Sequence, residues 1–261
     1  MPRAAGSSSH YEFVLRRATG SYDKDTIIKL PSVTHIIGNV VAKPLDGWVY
    51  KVTRDNISGM VNVLDDHRDE LLDTMADPDM LAEYMKENRL RPEDVAGDAS
   101  TRGTREHEML EALCKAYLES DETAAEQLAN RTLKRDTASP WAKAIASWWL
   151  DRYPHIIASE SVLYSLTLGV AGTVDMVYGM QGEVIVTDLK TRGEGKPAYR
   201  SDFIQTDGYA DMWEEMTGEI VDRRTVLIAR EDGTVDEYEN DLPRGTFRQT
   251  KELYDLLKGV R

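Results

Sequence analysis

Residues 170–190 read VAGTVDMVYGMQGEVIVTDLK. Two strand-like runs, 170–178 and 183–189, lie on either side of Gly179-Met180-Gln181-Gly182, which predicts a β-hairpin whose turn runs from Gly179 to Gly182. If these two glycines face each other, Asp175 on the first strand lies opposite Val186 on the second. The hairpin is then expected to bring the polar groups of both strands to one place.

Three chemical groups share one face of this hairpin. Side chains alternate along a strand and cross-strand partners point the same way, so Asp175, Asp188 and Lys190 lie together, with the aspartates as diagonal neighbours roughly 7–8 Å apart at Cβ. Two carboxylates beside a lysine suit a hard divalent cation and the water that it activates. The apolar run at 184–186 predicts a strand buried on both faces, where an unpaired carboxylate is costly. The alternative is an ordinary solvated strand face, and these residues alone leave both interpretations open.

The composition limits what the chain can be. Its 261 residues are enough for one large domain or two small ones, and 41% hydrophobic with 30% charged residues is ordinary for a globular protein. No apolar run is long enough to span a membrane, and the start of the chain is not expected to be a secretory signal. The single cysteine, Cys114, excludes an internal disulfide and a four-cysteine iron–sulfur cluster within this chain, and it favours a reducing cytoplasm.

The formal net charge of −14 argues against broad electrostatic binding of nucleic acid. A nucleic-acid enzyme with this charge would need a local basic groove or a basic partner. Several cations flank the proposed site in sequence and could form such a groove, although they could equally be solubilising charges. These cations are Arg102, Arg105, Arg192, Lys196 and Arg200.

Hydrophobic periodicity divides the chain into three parts. Residues 1–9 are predicted to be a flexible tail, residues 10–153 a strand pair followed by a helical region, and residues 154–261 a core of antiparallel strands, helix, strand and helix. We expect the helical region and the core to form one compact domain. The strand pair is expected to occupy residues 11–37, and Thr104 to cap a long helix. This order of elements predicts the α+β class.

Further candidate residues lie outside the hairpin. Gln205 and Tyr209 are four residues apart on a predicted helix, so one helix face carries both, either to contact a phosphodiester or to pack in the core. His107 is either a metal ligand or a solvent-exposed helical histidine. For these residues the structural alternative is favoured when each set is considered alone. Glu160, in a predicted strand, is either an outer carboxylate of the same site or an ordinary paired charge.

The order of these candidate residues along the chain resembles that of the PD-(D/E)XK nuclease superfamily, specifically its RecB-like and Cas4-like exonuclease branch. That branch carries G-x-x-x-H on a helix, G-x-x-D and (D/E)-x-K on successive strands, and Q-x-x-x-Y on a further helix. The matching residues here are Gly103 with His107, Gly172 with Asp175, Asp188 with Lys190, and Gln205 with Tyr209. Each motif is weak by itself, but the four in this order are together fairly specific.

The resemblance implies a restriction-endonuclease-like core, a mixed central sheet flanked by helices, with a helical insertion before it. It also implies a DNA exonuclease that hydrolyses phosphodiester bonds with Mg²⁺ or Mn²⁺. The implied metal ligands are His107, Asp175, Asp188 and the Leu189 carbonyl. The implied catalytic residues are Asp175, Asp188, Lys190 and, by its place in relatives, Glu160. Gln205 and Tyr209 are implied to line the substrate channel, beside the expected groove of Arg102, Arg105 and Arg192.

The chain departs from Cas4 proteins, which typically carry four cysteines for an iron–sulfur cluster. We therefore expect no such cluster and no Cas4 role. A stand-alone phage exonuclease of recombination or DNA processing fits better, with DNA as substrate, a single-strand annealing or recombinase protein as partner and the host cytoplasm as location. A homo-oligomer is left open by analogy alone. The alternatives are an endonuclease of the same superfamily, a catalytically idle recombination accessory, and a structural metal-binding protein.

Overall fold

The computed structural model describes residues 9–16, 22–41, 45–62, 74, 76–193 and 195–259. The tail predicted at residues 1–9 lies outside the described residues, apart from Ser9. The side chains of Arg102 and Arg105 also lie outside what the structure describes. The chain divides into two compact units. One consists of Met1–Ala42 with Glu106–Arg261, and the other of Lys43–Arg105.

The described part of the chain contains seven strands and eight helices. In chain order they are β1 (His10–Arg16), β2 (Tyr22–Pro31), α1 (Val33–Val40), α2 (Leu45–Asn62), α3 (Pro78–Glu87), α4 (Pro92–Glu119), α5 (Glu122–Lys134), α6 (Pro140–Arg152), β3 (His155–Ser165), β4 (Val170–Met180), β5 (Glu183–Thr191), α7 (Arg200–Thr217), β6 (Arg223–Ala229), β7 (Val235–Glu239) and α8 (Thr246–Lys258). None of these helices combines the length and the apolar character needed to cross a bilayer.

The N-terminal strand pair is shorter than the sequence pattern predicts. Strand β1 pairs antiparallel with β2, and Tyr11 lies opposite Leu30. Ser32 then begins helix α1, because its Oγ accepts a hydrogen bond from the His35 amide at 3.1 Å and so satisfies a donor of the first helical turn. The prediction that the pair extends to Ile37 was therefore wrong, since the capped helix buries this residue on its apolar face.

The long helix α4 also differs from the prediction. It begins at Pro92, whose fixed φ suits the first helical turn, and it runs to Glu119. Asp94 supports this start, since its Oδ2 accepts hydrogen bonds from the amide and the Nε of Arg91 at 3.2 and 2.9 Å. Thr104 therefore lies inside the helix, and the prediction that it caps the helix was wrong.

Strands β3 to β7 form one mixed sheet in the order β3-β4-β5-β6-β7. Strands β5 and β6 are parallel and all other neighbours are antiparallel. The parallel pair requires a crossover, which helix α7 supplies. Strand β7 was not predicted, because this edge strand is partly exposed and lacks the apolar pattern of the inner strands.

The turn of the β4–β5 hairpin lies one residue further along the chain than predicted. Met180 pairs with Glu183, so the loop is only Gln181-Gly182, and both residues have positive φ, +56° and +88°, as a type I′ turn requires. Asp175 therefore lies opposite Asp188 in the extended register, not opposite Val186. A register that differs by two residues leaves the relative faces of paired residues unchanged.

The sheet is covered by helices on both faces. On one face Val186 packs in a cluster with residues of α1, α7 and α8, including Ile204 and Phe247. On the other face Ile185 and Leu189 pack in a cluster with residues of α4, α5 and α6. This three-layer arrangement around a mixed sheet confirms the predicted α+β class.

Candidate active site

Asp175 on β4 contacts polar groups from three other elements of the fold. Its Oδ2 accepts a hydrogen bond from the Leu189 amide of β5 at 2.7 Å. Its Oδ1 lies 3.4 Å from Nδ1 of His107 on α4. Its backbone carbonyl accepts a hydrogen bond from Oγ of Ser159 on β3 at 3.0 Å. Three elements of the fold thus fix the position of one buried carboxylate.

Asp188 and Lys190 form an ion pair on the neighbouring strand. Nζ of Lys190 lies 2.6 Å from Oδ2 of Asp188, whose side chain is only 1% exposed. Its Oδ1 accepts a hydrogen bond from Nε2 of Gln205 at 2.9 Å. Both carboxylate oxygens therefore have partners, which a buried charge requires.

Gln205 and Tyr209 meet on one face of α7, as their spacing predicts. Nε2 of Gln205 also donates to the Tyr209 hydroxyl at 2.8 Å, so one amide group connects the phenol to Asp188. The phenol ring is buried against β4, where a Cβ added to Gly172 would lie 2.7 Å from a ring carbon. The absence of a side chain at Gly172 therefore allows this ring to approach β4 closely.

Gly172→Ala is expected to displace the Tyr209 ring and to weaken the hydrogen bonds that it supports. The added methyl group would also lie 3.3 Å from Val33 and 3.4 Å from Met212, so several packed groups must move. We expect the free energy of unfolding, measured by urea denaturation, to fall by about 1–3 kcal/mol. Gly38→Ala is the control, because its Cβ meets nothing within 4 Å and alanine favours a helix. Equal losses in both variants would contradict this explanation.

Burial and charge shift the pKa values of these groups in different directions. Burial raises the pKa of Asp188 to about 6, although Lys190 opposes the rise. Burial also acts on Asp175, but His107, Lys190 and the Leu189 amide outweigh it and hold the pKa of this carboxyl below its ordinary value. Burial disfavours the Lys190 ammonium, yet the two aspartates raise its pKa above the usual value. A protonated lysine therefore faces an ionised Asp175 at neutral pH.

His107 should make the stability of the metal-free protein depend on pH. Burial opposes its charged form, but Asp175 outweighs burial and raises the pKa of His107 from 6.5 to about 9. The stabilisation is thus fully present below pH 6.5 and is lost as the pH rises through about 9. We expect urea denaturation in EDTA to show a fall of about 3 kcal/mol in the free energy of unfolding across this range. Asp188 titrates below this range, so His107→Gln should remove most of the slope, and an unchanged slope would contradict the assignment.

Glu160 completes a cluster that could hold a metal ion. It occupies the position on β3 opposite Asp175, and its φ of +46° is a left-handed conformation that costs a non-glycine residue about 1–2 kcal/mol. One ligand atom each from His107, Glu160 and Asp175 lie within 4.8 Å of one another. Two carboxylates and an imidazole suit a divalent cation, and backbone strain of this kind collects at functional sites. The residues present therefore fit a divalent metal.

The predicted metal ligands coincide with this cluster only in part. His107 and Asp175 belong to it, and Glu160 joins them although the sequence suggested only a catalytic carboxylate. Among the described residues, Asp188 lies outside this group of three, with its oxygens turned to a lysine and a glutamine. Leu189 directs its amide at Asp175, and its carbonyl lies on the same edge of the strand, facing β4.

Arg192 is held in place at the end of β5. Its guanidinium pairs with Asp202 and lies 3.8 Å from the centroid of the Tyr199 ring. Asp202 also accepts a hydrogen bond from the Tyr199 amide at 2.8 Å, at the start of α7. Sequence analysis missed Asp202 and Tyr199, although an acidic residue three positions after a helix cap is a known capping pattern. Lys196 and Arg200 are exposed beside them.

Comparison with known families identifies the class of protein. The sequence profile of the PD-(D/E)XK nuclease superfamily matches residues 81–252, more than half of the chain. The chain therefore belongs to this superfamily, whose members use divalent metal ions.

One solved structure similar to this chain is named "Crystal structure of SSO0001". The two share 14% sequence identity, with a TM-score of 0.29, over 45% of this chain and 57% of that chain. This chain thus spans less than two thirds of that protein. A comparison with curated proteins gives no match.

Proposed function

We propose that this protein is a divalent-metal-dependent DNA exonuclease of the RecB-like and Cas4-like branch, a stand-alone phage-type member that acts in recombination or DNA processing. The observation that carries the proposal is the convergence of Asp175, Asp188 and Lys190 with the imidazole of His107. Membership of the superfamily supports metal-dependent hydrolysis. The order of the four motifs supports this particular branch.

The proposed metal site consists of His107, Glu160 and Asp175, with Asp188 and the Leu189 carbonyl as neighbouring ligands. A bound Mg²⁺ or Mn²⁺ would supply Lewis-acid stabilisation of a phosphate and would lower the pKa of a water molecule. Neighbouring groups support this site, since Ser159 and the Leu189 amide hold Asp175 in one orientation. Such support from surrounding groups is what gives a metal site its geometry.

Lys190 is proposed to stabilise the charge that develops on the phosphate. Its ammonium is held by Asp188, and the two aspartates raise its pKa against the effect of burial, so it is charged when substrate arrives. A cation positioned in advance needs no reorganisation during the reaction. Gln205 is proposed to orient Asp188 through its amide, and Tyr209 to hold that amide, so both act as positioning residues at the edge of the substrate channel.

Other features of the proposal concern organisation and partners. We propose a nuclease core at residues 154–261, preceded by the strand pair and helical region at residues 10–153. The proposed setting is the cytoplasm of a phage host, with DNA as substrate and a single-strand annealing or recombinase protein as partner. A homo-oligomer stays a prediction by analogy.

Linear and closed-circular DNA separate the candidate activities. Purified protein is incubated with end-labelled linear duplex, or with a closed circle of the same sequence, in Mg²⁺, Mn²⁺ or EDTA. We expect degradation of the linear DNA with metal, none in EDTA and none of the circle, because an exonuclease requires a free end. Labels at the 5′ or the 3′ end then report polarity.

Two other outcomes would lead to different conclusions. Nicking or linearisation of the circle would identify an endonuclease of the same superfamily. Binding of DNA without metal-dependent degradation of either substrate would contradict the nuclease proposal and favour an idle accessory protein.

A further inference from the structure

The segment from the end of β5 to the first residue of α7, residues 190–200, is cationic on an acidic protein. Residues 190–200 contain four cations and one acid, a local formal charge of +3, whereas the whole chain carries −14. The cations are Lys190, Arg192, Lys196 and Arg200, and the acid is Glu194. An acidic protein that binds DNA needs such a local reversal of charge.

Arg230, a buried residue directly after β6, holds the backbone of this segment. Its Nη1 donates to the carbonyl of Gly193 at 3.0 Å, and its Nη2 donates to the carbonyl of Lys196 at 3.1 Å. Its Nε donates to Asp236 at 2.6 Å, which fixes the guanidinium itself. A planar guanidinium can bind several acceptors at once, so the carbonyls of Gly193 and Lys196 are held in place by one side chain.

Within this segment, Arg192 stacks on Tyr199. The guanidinium of Arg192 lies over the phenol ring at 3.8 Å from its centroid, and the same guanidinium pairs with Asp202. Tyr199 is nevertheless 43% exposed. An aromatic side chain that keeps this much exposed surface can serve as a stacking surface.

The stack lies directly beyond the proposed catalytic lysine. The Arg192 amide donates to the Ala229 carbonyl at 3.3 Å, so the pairing of β5 with β6 continues to this residue. Strand alternation then places Arg192 on the same face as Asp188 and Lys190, roughly 7 Å beyond the lysine. Successive phosphates of one DNA strand advance about 3.4 Å along the axis of a duplex. A distance of roughly 7 Å therefore corresponds to about two nucleotides along that axis, and to fewer along an extended single strand.

We propose that the Tyr199 ring, supported by Arg192, stacks on an unpaired base one or two nucleotides from the scissile phosphate, and that the preferred substrate is therefore DNA with a single-stranded end. This proposal rests on the nuclease function proposed above. Bases inside a duplex are already stacked on both sides, whereas an unpaired base has a free face for an aromatic side chain. The guanidinium adds a cation–π contribution.

Equilibrium binding in EDTA tests this proposal without hydrolysis. The full-length protein is titrated into single-stranded oligonucleotides that carry one 2-aminopurine at successive positions, a base whose fluorescence falls when it stacks, and into a blunt duplex. The variants are Tyr199→Phe, which keeps the ring, and Tyr199→Leu, which removes it. Tyr153→Leu is the control, because Tyr153 is also exposed but lies at the other end of the sheet. It comes two residues before His155, which pairs with Gly179 near the hairpin turn.

We expect quenching confined to one or two neighbouring positions for the wild type and for Tyr199→Phe. Tyr199→Leu should raise the dissociation constant for single-stranded DNA about fivefold or more, the lower end of the contribution of one stacked base. Duplex binding should change less than about twofold, since its bases offer no free face. Tyr153→Leu should bind like the wild type.

Several results would overturn the proposal. One is a Tyr199→Leu variant that weakens single-stranded and duplex binding equally, and another is a Tyr199→Phe variant that binds as weakly as Tyr199→Leu. A third is a Tyr153→Leu variant that weakens single-stranded binding as much as Tyr199→Leu does. The last is wild-type protein that quenches 2-aminopurine at no position. If Tyr199→Leu does not fold, the position dependence of wild-type quenching decides the question. Hydrolysis of DNA is measured separately. A protein that stacks the base but cleaves no DNA contradicts only the proposed nuclease function. A protein that cleaves DNA without stacking the base contradicts only the stacking proposal.

Discussion

Lys190→Met is expected to lower the rate of DNA hydrolysis by about a thousandfold, the effect typical of removing one preorganised electrostatic group. Methionine keeps the length of the side chain but removes the ammonium that lies 2.6 Å from Asp188. The charge that develops on the phosphate then has no lysine to stabilise it. Initial rates on end-labelled linear DNA, at saturating Mg²⁺ or Mn²⁺, measure the effect.

A second lysine provides the control for this prediction. Lys134 is exposed at the end of α5, and we expect Lys134→Met to hydrolyse DNA at the wild-type rate. DNA binding in EDTA shows whether each variant is folded. Hydrolysis by Lys190→Met within about tenfold of the wild type would remove Lys190 from the catalytic group, because a tenfold change is only about 1.4 kcal/mol.

Arg224→Met is expected to reduce the free energy of unfolding by about 3–5 kcal/mol, because it removes the nearer of the two described cations from a buried carboxylate and leaves only Nε of Arg244, 3.9 Å away. That carboxylate belongs to Asp207 of α7, which is 0% exposed and pairs with Nη1 of Arg224. Asp207 also accepts a hydrogen bond from the Phe247 amide at 2.9 Å, and Nη2 of Arg224 donates to the Leu242 carbonyl at 2.8 Å. The pair therefore joins α7, β6 and the start of α8. Urea denaturation at neutral pH measures the loss.

The adjacent arginine is a matched control. Arg223 makes ion pairs with Glu237 and Glu239 at the sheet edge, and its side chain is 25% exposed compared with 10% for Arg224. We expect Arg223→Met to cost no more than about 1 kcal/mol, as surface pairs do. The double variant Arg224→Met with Asp207→Asn should recover part of the loss, since it removes the charge of the buried carboxylate. Similar losses for the two single variants would contradict this account.

Much of the candidate site could be predicted from local patterns. Alternation along residues 170–190 predicted that Asp175, Asp188 and Lys190 lie together. In the structure Lys190 pairs with Asp188, and Asp175 accepts a hydrogen bond from the amide of Leu189 between them. The i, i+4 spacing of Gln205 and Tyr209 correctly predicted that they share a helix face, and in the structure they are hydrogen-bonded to each other. These patterns succeed because the periods of strand and helix are properties of the backbone.

Other features depend on interactions that local patterns do not contain. The register of the hairpin follows from positive φ at Gln181 and Gly182, and a pattern with period two cannot distinguish registers that differ by two residues. The helix that contains Thr104 extends through it, because the backbone hydrogen bonds of a long helix override a local capping residue. Strand β7 forms because β6 offers it an edge, although its own sequence has little strand character.

Local sequence was therefore enough to predict the class of fold and three groups of the site. Packing was needed to bring His107 within 3.4 Å of Asp175, to place Glu160 opposite that carboxylate, and to direct Gln205 onto Asp188. The physical reason is the range of the interactions. Side-chain alternation and helical spacing act within a few residues, whereas these contacts join residues far apart in sequence and exist only once helices have packed on the sheet.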